Sequence, residues 1–139
     1  MLFLLFSCSK EKGFPTPAIS EIYFQDGEVE TVFENSPDGI NIIFIGDGYV
    51  QKDLEKERGL YKRDAIAHLE FIFDNPPFSE YKEYFNAYII YTESIDQGPS
   101  DNSRTKSTAL GVIQGEFFPE QYQENQLVSY IKNLIPDYQ

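Results

Sequence analysis

Two uninterrupted apolar runs constrain this chain more than any other feature: Asn41-Ile42-Ile43-Phe44-Ile45 and Tyr84-Phe85-Asn86-Ala87-Tyr88-Ile89-Ile90-Tyr91. Short β-branched and aromatic runs without polar alternation are the pattern of strands covered on both faces, as in sheets flanked by helices. The first run, ending at Gly46-Asp47-Gly48, is therefore expected to lie centrally in its sheet. From Gln51 the spacing becomes helical, with Leu54, Tyr61, Ala65, His68, Leu69 and Ile72 on one side and Lys52, Glu55, Lys56, Glu57, Lys62 and Arg63 largely elsewhere. One long helix is predicted, ending near Asp74-Asn75-Pro76-Pro77, where two prolines forbid continuation. A short helical turn is expected over 78–82. Strand, helix, strand predicts a βαβ unit, with its strands parallel and its crossover right-handed.

Upstream, Ile22-Tyr23-Phe24 and Val29 to Phe33 read as two short strands joined through Asp26-Gly27 as a hairpin, with a turn over 35–39. Downstream, the polar stretch 92–115 is long for a connection and is expected to be functional or mobile. A last helix is predicted over 120–135, with Leu127, Tyr130, Ile131, Leu134 and Ile135 on one face and Pro136 closing it. The fold class is thus α/β, a βαβ unit with two long helices. The sequence stops at Gln139, where a further strand is expected, so it reads as the front part of a larger domain.

Eleven basic against 23 acidic residues give a net charge of −12, which repels a phosphate backbone and excludes general nucleic-acid binding. Twelve Phe and ten Tyr are too many for a disordered acidic tail. One Cys excludes an internal disulfide framework, and one His excludes a zinc centre that takes two histidines from this chain. The run Met1 to Phe6 is too short to span a bilayer and reads as the back half of a signal peptide. Leu5-Phe6-Ser7-Cys8 resembles a bacterial lipobox, although Phe6 is bulkier than usual there. On that reading Cys8 is the lipid attachment site and the protein is held at a membrane by acyl chains. The chain divides into a truncated lipoprotein signal peptide (1–8), a Pro-containing tether (9–20) and an α/β domain (21–139).

Few residues are placed for chemistry. Gly46-Asp47-Gly48-Tyr49 stands at a strand's carboxyl end, where open α/β sheets bind ligands, which makes Asp47 and Tyr49 candidate cleft-lining residues. The competing reading is a tight turn in which the glycines allow positive φ and Asp47 bonds local backbone N–H groups. No third glycine or P-loop lysine comes after it. His68 has only Asp64 near it on its helix, which makes it a core-edge residue rather than a ligand. Asp96, Asp101 and Asn102 lack EF-hand spacing, and no nucleophile elbow occurs.

The order of the pieces resembles the IgA peptidase family of bacterial zinc metallopeptidases from about Ile40 to Gln139. The marks are Ile45-Gly46-Asp47-Gly48-Tyr49, the Pro77-Phe78 pair after a long helix, Tyr81, Tyr84-Phe85-Asn86 opening a strand, Ser94 with Gly98, Thr108-Ala109-Leu110, and Leu134-Ile135-Pro136. The resemblance implies a zincin-like α/β sheet, zinc as cofactor, a protein or peptide substrate and a cell-surface or outer-membrane lipoprotein facing away from the cytoplasm. It also implies an H-E-x-x-H helix, whose histidines bind the metal and whose Glu acts as general base. No H-E-x-x-H occurs in this sequence. No catalytic residue or metal ligand is therefore assigned here, the zincin-like sheet is read as incomplete, and the chain is read as an inactive N-terminal fragment. The alternative is a surface lipoprotein that binds without catalysis, using exposed Tyr and the 92–115 loop.

Overall fold

The computed structural model describes residues 17–101, 103–115 and 119–138. Its centre is a three-stranded mixed sheet in the order β1 (Val29–Glu34), β3 (Phe85–Ile90), β2 (Ile40–Ile45). β2 and β3 run parallel with Ile40 opposite Phe85 and Ile45 opposite Ile90, as a βαβ unit requires. β1 runs antiparallel to β3, with a register shift between Thr31 and Phe33. The central strand is therefore β3, whose six residues are all buried, and not β2. The reason is topological: three strands offer one interior position, and β1 takes the second edge of β3. Among the described residues, no strand pairs with the outer edge of β2.

α2 (Leu60–Phe73) lies across one face of the sheet. Tyr61 and Ala65 meet Ile89 and Tyr91 in one cluster, with Phe44 against it. Leu69 and Phe73 meet Phe85 and Ala87 in another, with Ile42 against it. Ile42 and Phe44 thus share the helix-facing side of β2, as a period of two demands. A fully buried side chain of this size contributes about 1.5–3 kcal/mol, so these clusters supply the main stabilising term.

Polar groups in the sheet are also satisfied. The buried Asn86 carboxamide accepts from the Asn35 and Ser36 backbone N–H groups at 2.9 and 3.1 Å, and donates to Ser36 O at 2.8 Å and Asn41 Oδ1 at 3.0 Å. It pins the 35–39 turn to both parallel strands.

Three further expectations are corrected. Helical structure from Gln51 is not continuous: a 3-10 turn over Gln51–Leu54 is separated from α2 by residues 55–59. The break is made at Gly59, where a Cβ would lie 2.4 Å from Glu55 O and 2.5 Å from Asp53 O, closer than any side chain allows. Ile22-Tyr23-Phe24 and Asp26-Gly27 do not form a hairpin with β1. Ile19–Ile22 is one helical turn, α1, so the tether's last two residues lie in a helix, and the chain after it pairs with the 54–56 loop through Phe24 N–H to Leu54 O and Lys56 N–H to Ile22 O. Gly27 N–H then bonds Tyr91 O at 2.7 Å, which docks the turn on the end of β3. The predicted last helix is half the expected length. Pro119–Gln121 forms β5 against β4 (Ile113–Gln114), and α3 spans only Glu124–Ile131 before the chain passes into turns. Gln123 N–H bonds Leu110 O at 2.8 Å, which holds the segment before α3 extended. Among the described residues there is therefore one long helix, α2, beside the single turn of α1 and the eight-residue α3. Two 3-10 turns, Phe78–Glu80 and Lys82–Tyr84, lead into β3 where the helical turn over 78–82 is expected. Residues 1–8, with Cys8, lie outside the described residues. No helix among those described is long and apolar enough to cross a membrane.

Candidate functional site

The crevice beyond the carboxyl ends of β2 and β3 is where a ligand of this sheet would be expected. In this chain the segment after β3 crosses it and is tied down group by group. The Tyr61 hydroxyl accepts from Gly46 N–H at 2.7 Å and donates to Ile90 O at 2.6 Å, joining α2 to the ends of both parallel strands. Thr92 Oγ1 donates to Gly46 O at 2.6 Å. Ser94 Oγ accepts from Gly48 N–H and Ala109 N–H, each at 3.0 Å. Burial pushes the Tyr61 phenol up to about 12.

Asp47 is the centre of this arrangement. Its carboxylate accepts from Leu110 N–H and Val112 N–H at 2.9 Å each, from Thr108 Oγ1 at 2.7 Å, and from Ser94 Oγ at 3.5 Å. The donors lie across the strap, about sixty residues along the chain, and not in the turn itself. Gly48 has φ +78° and Gly98 has φ +76°, and Gly98 N–H bonds Gly48 O at 2.7 Å. A Cβ on Gly48 would stand 2.5 Å from the Gly98 carbonyl carbon, so the two backbones approach only because residue 48 is glycine, while Gly98 supplies the positive φ. Tyr49 turns the other way, donating its hydroxyl to Asp64 Oδ2 at 3.0 Å with its ring 4.4 Å from that of Tyr61. Burial first, and then the Asp64 carboxylate, hold the Tyr49 phenol well above its ordinary range.

His68 is exposed, its Nδ1 is 2.7 Å from Asp64 O, and its ring lies against Phe44. The acidic loop residues bond the loop's own backbone, Asp101 within a turn and Asp96 across eleven residues. Asp101 accepts from Ser103 Oγ, Ser103 N–H and Arg104 N–H, which lowers its pKa, and Asp96 accepts from Ser107 N–H. Sequence reasoning passed over Tyr61, Thr92 and Asn86 as bonding residues. The usable signal was polar side chains at the ends of, or inside, otherwise apolar runs.

The fold and this end of it define a mixed α/β scaffold whose strand ends are strapped by a long polar connection. The profile of the IgA Peptidase M64 family matches residues 30–131, from β1 to the last residue of α3, and the chain belongs to that family. No curated protein gives a significant match. The family is one of zinc metallopeptidases. The residues present do not fit a zinc ion: among those described, no three His, Cys, Asp or Glu side chains converge, and Asp64, the carboxylate nearest His68 on its helix, receives the Tyr49 hydroxyl.

Proposed function

We propose that this chain is the N-terminal scaffold of a secreted, lipid-anchored zinc metallopeptidase with an incomplete zincin-like sheet. The metal ligands and the general base are contributed by sequence outside these residues. The observation that carries the reading is the family match over 30–131 in a chain that contains one histidine and no H-E-x-x-H. On this reading β2, α2 and β3 support a peptide-hydrolysing site, the strap shapes the crevice end of the sheet, a protein or peptide is the substrate, and Cys8 carries the lipid. The chain alone is inactive.

The coding sequence after the codon for Gln139, read in all frames, tests this directly. A strand followed by H-E-x-x-H is expected, and an intact longer product without it overturns the reading. The 139-residue chain is also expected to hold no stoichiometric zinc by elemental analysis after dialysis, and to melt at the same temperature with and without EDTA. Stoichiometric zinc with peptide hydrolysis by this chain alone would equally overturn it. For the anchor, Cys8→Ser behind a complete signal peptide is expected to abolish fatty-acid labelling.

A further inference from the structure

We draw no further inference here: the strongest candidate, the open polar furrow of about 460 Å³ between α3 and the turn at Asp26-Gly27, is lined on its helix side mostly by exposed side chains, its one carboxylate already accepts from the Tyr130 hydroxyl and Glu93 N–H, and nothing in the structure points to a ligand for it.

Discussion

A single carboxylate at position 47 holds together segments sixty residues apart. Replacing Asp47 by Ala leaves two N–H groups, that of the buried Leu110 and that of the half-buried Val112, without their acceptor. At about 1–3 kcal/mol for each orphaned donor, the expected loss is roughly 3 kcal/mol in urea denaturation, with Asp47→Asn losing less. The tyrosines give a second test. Tyr61 is pushed to about 12 by burial, and Tyr88 to about 12 chiefly by its hydrogen bond to Glu34, while Tyr49, Tyr91 and Tyr130 are raised too. A phenol whose pKa is higher in the folded state stabilises that state below pH 10, and the contribution is lost as pH rises from 10 to 12. For Tyr61 the loss is on the order of 2–3 kcal/mol. Melting temperature is expected to fall steeply across that window, together with cooperative tyrosinate absorbance at the unfolding step. Position 47 was legible in the sequence as a strand-end residue. Its partners were not, because a carboxylate accepts from any N–H brought to it and the chain does not announce which.

At the level of elements, the strands and the helix stop at Pro76-Pro77 were readable because burial and proline act locally. β3 was seen as a buried strand and is one; β2 has the same composition and lies at an edge, because strand order depends on which partners arrive. The break before α2 was hidden for a related reason. Gly59 sits inside a helical spacing that Leu54 and Tyr61 continue, and only the approach of two carbonyls shows why the chain must turn there. Gly59→Ala is expected to destabilise by about 2 kcal/mol or more, well beyond the gain of about 0.4–1 kcal/mol that the substitution gives at an unstrained site. Chemical denaturation compared with Ala67→Gly, in the exposed part of α2, separates the two effects: the helix-interior change should cost only about 1 kcal/mol.

For the whole molecule, a net charge of −12 on one small domain is a standing self-repulsion. Calorimetry at low and high sodium chloride is expected to show the melting temperature rising with salt; a fall would mean that its few ion pairs, such as Lys62 with Glu30 and Lys56 with Glu28, outweigh that repulsion. The strand order has a consequence of another kind, in time. β1 and β2 are neighbours in sequence but not in the sheet, and each bonds only to β3. Forty residues separate Ile45 from Phe85, so at a synthesis rate of about 5–20 residues per second both strands leave the ribosome roughly 2–8 seconds before anything exists for them to pair with. Such non-local pairing makes folding slow. The nascent chain must therefore carry the uncharged segment Ile40 to Ile45 without its β3 partner through that interval, and the soluble yield is expected to depend on the rate of translation.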